Sequence, residues 1–476
     1  MFTTFPIRKR IMPTSAGRRL GLPGSPPLPW PCRLLLPTMK FKTPAAVALL
    51  LLLVTAGSAG ATVPKPLPNP DRAAVTPRMG EGATISVNEV CPAMRRLARL
   101  GNSRSGLRVR NLESGETVCS MNSRRKRSLA SNTKIFTTST ALARLGSGHR
   151  FVTRVFADGE LSQSGVLRGS LYLDGAGDPS FGTRRFVNAF FGGDGPSVEQ
   201  LADKVEQAGI KAVTGRLYGD DTVFDRVRGV ADSGYATSPW IGPLSGLSFN
   251  AGYTSPSLSR FSSDPAKLAT KTLVRELRQR GINIRKEIAM GKTPKAARRN
   301  PAGRVRSPTM AWMARMTNKD SNNFFAETLL KGIGAAVREA GTTRAGAKVV
   351  RRYAAEVGSE IDNIDGSGLT YGNMASPADV VKLLGEVRDE EFGDDFIDSL
   401  PIAGVDGTLA DRMRGSAAQG NCHAKTGTLT GVSALSGYCF NSSGRKFAFS
   451  ILMNGVSDLS AAHRGQDKIA ALIARL

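Results

Sequence analysis

The stretch Ser128-Leu-Ala-Ser-Asn-Thr-Lys134 leads into a predicted helix over 131–145 that ends at Gly146. Residues three apart share one face of a helix, so the Lys134 amine can reach the Ser131 hydroxyl. A serine hydroxyl is a weak nucleophile until a base takes its proton. A lysine can be that base when burial and cationic neighbours lower its pKa. The backbone N–H of Ser131 lies at the helix start, where it is free to bind an oxyanion. The spacing therefore predicts a serine nucleophile activated by a lysine.

A second motif, Ser321-Asn-Asn323, follows 190 positions (321 minus 131) after the first serine. The Ser321 hydroxyl can pass a proton between Lys134 and a leaving group. The Asn323 amide can hydrogen-bond either a substrate or Lys134. Both residues are therefore candidate catalytic residues beside Ser131 and Lys134.

A third motif, Lys425-Thr-Gly427, lies on a predicted strand over 422–427. The Lys425 cation and the Thr426 hydroxyl suit a substrate carboxylate, and Gly427 lets a substrate approach the strand backbone closely. The backbone N–H of Thr428 is the candidate second oxyanion donor. These four residues are the predicted substrate-binding set.

Each motif alone is common, but the three in this order are the signature of penicillin-binding proteins and class A β-lactamases. From about residue 85 to the C-terminus the chain resembles the D-alanyl-D-alanine carboxypeptidases of the low-molecular-mass class C penicillin-binding proteins, peptidase family S13. Further matching segments support the resemblance: Leu173-Asp-Gly-Ala-Gly-Asp-Pro179, Asp365-Gly-Ser-Gly-Leu369, Leu400-Pro-Ile-Ala-Gly-Val-Asp-Gly-Thr-Leu409, His423-Ala-Lys-Thr-Gly-Thr-Leu429 and Leu435-Ser-Gly-Tyr438.

The resemblance implies an α/β fold: a penicillin-recognising, serine transpeptidase/β-lactamase-like domain, with an antiparallel sheet between helices on both faces, interrupted by a small α/β insertion. It also implies a serine acyl-enzyme that cleaves the terminal D-Ala–D-Ala bond of peptidoglycan stem peptides and in many members also cuts D-amino-acid crosslinks. β-Lactam antibiotics are expected to trap the serine covalently. Family members usually carry two insertions between the first two motifs, so one is expected to be reduced here.

The scarcity of histidine, which occurs only at His149, His423 and His463, limits a Ser-His-Asp triad and histidine-ligated metal sites. No metal and no cofactor are therefore expected. Asp365 is expected to bond loop N–H groups near the cleft rather than to act in catalysis.

Two other function classes remain open, a β-lactamase-like hydrolase and an inactive wall-binding protein. Class A β-lactamases release the penicilloyl group with a glutamate, typically in a Glu-x-x-x-Asn context. None of the glutamates between the first two motifs has Asn four positions on; they are Glu160, Glu199, Glu206, Glu276 and Glu287. This favours the peptidase, and the intact motif trio argues against an inactive protein.

An export signal is predicted in the first 61 residues. Residues 45–56 (AAVALLLLLVTA) are too short an apolar run for a membrane span, which needs roughly 20 residues. Lys40 and Lys42 precede the run and Ala59-Gly-Ala61 follows it, as in a secretory signal peptide. The protein is expected to be exported, periplasmic or extracellular and wall-associated, with no stable span after cleavage. Met1 and Met39 are the two alternative translation starts.

The domain prediction divides the chain into five segments. These are a leader and signal peptide (1–61), a Pro-rich linker (62–80), a first transpeptidase-like part (81–156), an inserted α/β domain (157–295) and a second transpeptidase-like part (296–476). The second part is predicted to contain helices at 308–318, 323–333, 344–357 and 376–387, followed by strands at 422–427, 433–440 and 446–453.

The chain carries a formal net charge of +26, which favours anionic partners. Nucleic acid is not expected, because the chain is exported and the basic runs at 124–127 and 294–306 lack interleaved aromatics. Anionic wall polymers or acidic head groups are expected as partners rather than nucleic acid. The alternative is that the basic residues form a solvated face that binds no partner.

Four cysteines follow the predicted cleavage site: Cys91, Cys119, Cys422 and Cys439. An even number in an exported chain predicts two disulfides, and three pairings are possible. Cys422 and Cys439 flank two strands joined by a Gly/Thr-rich turn, so a hairpin would bring them within bonding reach. Cys91–Cys119 then follows only by elimination.

Overall fold

The computed structural model describes residues 87–101 and 104–476; the predicted leader and linker lie outside them. The helices are α1 Val87–Leu97, α2 Thr133–Leu145, α3 Arg184–Phe191, α4 Val198–Gln207, α5 Pro265–Gln279, α6 Met310–Lys319, α7 Asn323–Arg338, α8 Thr343–Glu356, α9 Pro377–Arg388, α10 Gly393–Ser399 and α11 Leu459–Ile473. The strands are β1 Arg104–Asn111, β2 Thr117–Met121, β3 Arg127–Ser128, β4 Val152–Leu161, β5 Val166–Asp174, β6 Ala212–Val213, β7 Leu217–Asp220, β8 Asn283–Ile284, β9 Ala289–Met290, β10 Pro301–Arg306, β11 Met374–Ala375, β12 Cys422–Leu429, β13 Val432–Phe440 and β14 Lys446–Asn454.

The main sheet has five antiparallel strands in the order β12-β13-β14-β1-β2. Alternate residues of its strands face two separate cores, as the period of two in a strand requires. On one face Leu435 and Ile451 join a core with α1 and α11. On the other, Ala434 and Leu452 join the core built from α2 and α6–α10. The predicted α/β class, with an antiparallel sheet covered by helices on both faces, is confirmed.

A second sheet is inserted in the chain between α2 and α6. It runs in the order β10-β4-β5-β6-β8, with β7 pairing with β5 and β9. β4 pairs antiparallel with its neighbours, whereas β5–β9 pair in parallel. Helices α4 and α5 cover it, and α4 begins with a capping box at Ser197. Because β4 begins at Val152 and β10 ends at Arg306, this sheet extends past the predicted limits of 157 and 295.

Both disulfides expected from the sequence are present. Cys422 and Cys439 stand directly opposite each other in the β12–β13 ladder and are bonded. The Cys91–Cys119 bond ties α1 to β2. Within the described ranges, no helix has the length and apolar character that crossing a bilayer requires.

Candidate active site

The turn before α2 presents Ser131. Residues Ala130–Asn132 form one 3₁₀ turn, in which Ala130 has a left-handed φ of +46°. The Asn132 side chain donates a 2.9 Å hydrogen bond to the Lys425 carbonyl of β12 and so fixes the turn to the sheet edge. The first ten residues of α2, from Thr133 to Leu142, are all buried. Ser131 therefore stands at the buried start of a central helix, beside an edge strand.

Lys134 is fully buried and its Nζ contacts three acceptors. The ammonium or amine lies 3.1 Å from the Ser131 Oγ, 2.7 Å from the Asn323 Oδ1 and 2.8 Å from the Ser367 carbonyl oxygen. Burial lowers the pKa of Lys134 from 10.5 to about 7, although the charges of Glu327 and Asp365 oppose the shift. Near neutral pH a large fraction of this lysine is therefore the free amine that a general base must be.

Two buried carboxyls, Glu327 and Asp365, lie near Lys134 and interact with its charge. Glu327 lies one turn after Asn323 on α7 and accepts hydrogen bonds from the Gly366 and Ser367 N–H groups at 3.0 and 2.7 Å. Asp365 accepts from the N–H groups of Gly368 and Thr370, at 2.8 and 3.1 Å, as expected from its motif. Burial and the Asp365 charge raise the pKa of Glu327 to about 8.

The sequence analysis did not single out Glu327. Its signal is a lone acid in an apolar helical run, four residues after Asn323 and thus on the same helix face. The structure places it against the loop whose Ser367 carbonyl accepts from Lys134.

Ser321 and Asn323 of the second motif make different contacts. Asn323 is the first residue of α7, which Asn322 caps by accepting from the Phe325 N–H at 3.1 Å. Its Oδ1 meets Lys134, while its Nδ2 donates to the Trp240 carbonyl at 3.3 Å. Ser321 has a left-handed φ of +55°, and its hydroxyl makes no hydrogen bond to any residue the structure describes. The structure thus joins Asn323 to Lys134 directly, whereas Ser321 makes no such contact; both residues line the same cavity.

That cavity has a volume of about 430 Å³. Its polar lining includes Ser321, Asn323 and Thr408. Aromatic residues of the inserted segment also line it, among them Phe190 and Trp240. A concave site with an apolar wall and a few polar groups is typical of a small-ligand pocket.

The third motif lies on β12, the edge strand of the main sheet. Lys425 is fully buried, donates to the Thr426 carbonyl at 3.0 Å, and lies near Lys134 and Asp320. Burial lowers the pKa of Lys425 well below its ordinary value, and the Lys134 charge adds to this effect. The Thr426 hydroxyl lies 2.7 Å from the Thr408 hydroxyl at the cavity rim.

Gly427 is required by the close packing of a neighbouring segment of the chain against β12. A Cβ there would lie 2.7 Å from the Leu129 carbonyl oxygen and 3.1 Å from the Ser131 nitrogen. The expected close approach to this strand is therefore made by the turn that carries Ser131. Thr428, one residue further along, is exposed to solvent.

Within the part of the chain that the structure describes, the edge of β12 is covered by another strand segment at one end only. Ile402 bridges His423, and the Ala424 N–H donates to the Pro401 carbonyl at 2.8 Å. Beyond that point the strand runs past Ser131 and ends at Leu429. An uncovered edge strand can hydrogen-bond an extended peptide. In the described part of the chain no group of three or more His, Cys, Asp or Glu side chains could hold a metal ion.

The chain is similar to known proteins over most of its length. The model of the D-Ala-D-Ala carboxypeptidase 3 (S13) family matches residues 89–263 and 256–476. The D-alanyl-D-alanine carboxypeptidase of Actinomadura sp. (strain R39) is 31% identical over 452 residues, covering 78% of this chain and 81% of that protein. Penicillin binding protein 4 (dacB) from Haemophilus influenzae has a similar structure, with a TM-score of 0.64 at 20% identity, covering 82% of this chain and 98% of that one. Because its identity is low, this last likeness concerns the fold.

Proposed function

The chain belongs to the D-Ala-D-Ala carboxypeptidase 3 (S13) family, and from this membership we propose that it is a serine carboxypeptidase acting on the D-Ala–D-Ala end of peptidoglycan stem peptides. The single observation that supports this most strongly is the buried Lys134 amine, hydrogen-bonded to both the Ser131 Oγ and the Asn323 Oδ1. Such a lysine can accept the serine proton without a histidine.

Acylation begins when the neutral Lys134 Nζ takes the Ser131 proton. The Oγ then attacks the carbonyl carbon of the penultimate D-Ala, and the backbone N–H groups of Ser131 and Thr428 bind the oxyanion. The Ser321 hydroxyl passes the proton from Lys134 to the nitrogen of the departing D-Ala. The C–N bond breaks, and water later hydrolyses the resulting ester.

The terminal carboxylate of the substrate is proposed to bind Lys425 and Thr426. Because burial disfavours the Lys425 ammonium, an incoming carboxylate supplies the counter-charge that restores it. The substrate chain would lie along the uncovered part of β12, with a side chain in the 430 Å³ cavity beside Ser321. The same acyl-enzyme would cut a D-amino-acid crosslink, because the acyl donor is again D-Ala.

β-Lactam antibiotics are proposed to acylate Ser131 covalently. The Haemophilus influenzae relative has been solved in complex with a β-lactam, with a TM-score of 0.65 to this chain. Export to the periplasm or the wall is proposed from the segment at residues 1–61. An association with anionic wall polymers is proposed from the net charge of +26.

Two measurements on the purified protein test the proposal. D-Ala should be released from a pentapeptide ending in D-Ala–D-Ala, and a fluorescent penicillin should add its mass to the intact protein. The Ser131→Ala variant should lose both, while Ser128→Ala, three residues earlier, should keep them. Penicillin labelling that survives Ser131→Ala would refute the assigned nucleophile.

A further inference from the structure

A second concave region lies at the end of the main sheet, where β1 begins and β14 ends. It encloses about 520 Å³. Five cationic side chains line it, with Asn454 beside them: Arg99, Arg104, Arg125, Lys126 and Arg127. Among the described residues of this lining, Met121 is the single apolar one and none carries a carboxylate. We call this region the basic groove.

Most of these cations lack a counter-ion. Lys126 pairs with Asp362 at 2.9 Å and with Glu360 at 3.7 Å. Among the described residues, no carboxylate lies within 4.0 Å of the four arginines. Unlike surface pairs that cancel each other, the groove therefore presents a net positive field to any ligand that enters.

Arg127 holds the groove in shape. Its guanidinium is buried and donates to the backbone carbonyls of Arg104, Ser105, Asn122 and Arg125, at 2.7 to 3.1 Å. These bonds tie the 122–127 loop to the start of β1. Burial and the Arg125 charge lower the pKa of Arg127, so the protein maintains this concentration of positive charge at an energetic cost. The groove is thus a built feature and not a set of independent surface side chains.

The strand register gives the approximate distance between the strand beside Ser131 and β1, at whose start the groove lies. Gly427, which adjoins Ser131, is level with Ala434, Leu452 and Gly106 across the sheet. Three strand spacings of roughly 4.8 Å separate β12 from β1, which gives roughly 15 Å. Ser128 and Asn454 are joined by hydrogen bonds of 3.0 and 3.3 Å, so the groove is continuous with the segment leading to Ser131. An extended peptide spans this distance with four or five residues, at roughly 3.3–3.6 Å each.

We propose that the basic groove is an exosite that binds carboxylates of polymeric peptidoglycan about one stem-peptide length from the bond being cut. The inference rests on the proposed function, because the polymer supplies the ligand. Stem peptides bear carboxylates, including the free C-terminus of each uncleaved neighbour, and arginine forks bind carboxylates in two-point fashion. A concave, polar groove suits a chain segment better than a flat lipid surface.

The test compares long and short substrates in a triple variant, Arg99→Gln, Arg104→Gln and Arg125→Gln, which keeps the buried Arg127. The matched control, Arg168→Gln, Arg285→Gln and Arg338→Gln, removes the same charge from exposed positions outside the groove. On soluble peptidoglycan fragments with several stems, the groove variant should lose roughly tenfold in kcat/KM, since each exposed charge pair contributes a few-fold. On a short D-Ala–D-Ala peptide, which cannot reach the groove, both variants should match the parent within twofold.

Added salt should reduce the parent's advantage on the polymer more than the variant's, because salt screens these contacts. Equal loss in both triple variants would overturn the exosite in favour of a general charge effect. Weaker binding to polyphosphate or anionic vesicles, with polymer turnover intact, would also overturn it and identify a phosphate ligand. If the parent releases no D-Ala even from the short peptide, it is the proposed function that fails.

Discussion

The rate at which penicillin acylates Ser131 should rise with pH through one ionisation near pH 7. The group responsible is Lys134, which must be neutral to accept the serine proton. Burial lowers its pKa from 10.5 to about 7. Below that pH the lysine is an ammonium and cannot act as a base; above it the amine is free. The rate should therefore fall as pH decreases, to about one hundredth of its plateau at pH 5.

The size of this effect follows from the shift. A change of about 3.5 pKa units corresponds to about 5 kcal/mol against the charged form. At pH 7.5 about three quarters of Lys134 is then neutral, whereas about one in a thousand would be neutral at the ordinary pKa. The net shift thus increases the neutral fraction of Lys134 by nearly three orders of magnitude.

The Glu327→Gln variant separates this account from other ionisations. The Gln carbonyl can still accept from the N–H groups of Gly366 and Ser367, and because burial raises the pKa of Glu327 to about 8, the carboxyl it replaces is mostly neutral where Lys134 titrates. The midpoint of the acylation profile should therefore stay within about half a unit of the parent's, whereas an ionisation that belonged to Glu327 would disappear. Glu391→Gln, an exposed control, should leave it unchanged.

Stopped-flow fluorescence with a labelled penicillin, from pH 5 to 9, measures both profiles. A midpoint above pH 9, or an ionisation that Glu327→Gln abolishes, would refute the assignment of the base.

Three further outcomes are expected. Gly427→Ala should slow acylation by about 10²-fold because its Cβ would displace the turn carrying Ser131. Gly385→Ala, whose Cβ would meet nothing nearer than 3.7 Å, should stay within twofold of the parent rate. Equal rates in the two variants would contradict the packing argument. Replacing Cys422 and Cys439 together by serine should lower the free energy of unfolding by about 3 kcal/mol for a 17-residue separation, as measured by urea denaturation, and an unchanged midpoint would count against it. The penicilloyl-enzyme should persist for many minutes in intact-mass spectra because no Glu-x-x-x-Asn context is present, and rapid penicillin hydrolysis without D-Ala release would indicate a β-lactamase instead.

The catalytic turn and the edge strand were predictable because their signals are local. The i, i+3 spacing of Ser131 and Lys134 needs only helix geometry, and the structure gives a 3.1 Å contact. The two strands predicted around the Gly/Thr-rich turn likewise give the hairpin that sets Cys422 opposite Cys439. The role assigned to each motif residue remains a prediction until variants are measured.

Features assembled from distant segments were not predictable. In the sequence alone Glu327 is indistinguishable from a solvent-facing acid, because its burial depends on α7 packing inside the core. The basic groove joins Arg99 and Arg104 to residues 125–127 only through the fold. Helices α3 and α10 were also missed. They have eight and seven residues, too few for a helical period to stand out.

Two glycine-containing segments of the sequence, 365–369 and 400–409, acquire a physical reason at the site. Ala130, which precedes Ser131, and Ser321 both have left-handed φ, a strain that costs about 1–3 kcal/mol apiece and persists only when surrounding structure enforces it. A Cβ at Gly368 would overlap the Ala130 carbonyl oxygen, and one at Gly407 would overlap the carbonyl of Lys319, just before Ser321. Each strained turn is thus pressed against a loop that can approach only as glycine. The loops that carry Gly368 and Gly407 therefore hold the hydroxyls of the first two motifs toward the same cleft. Without these loops the three motifs alone would not be sufficient to build the site.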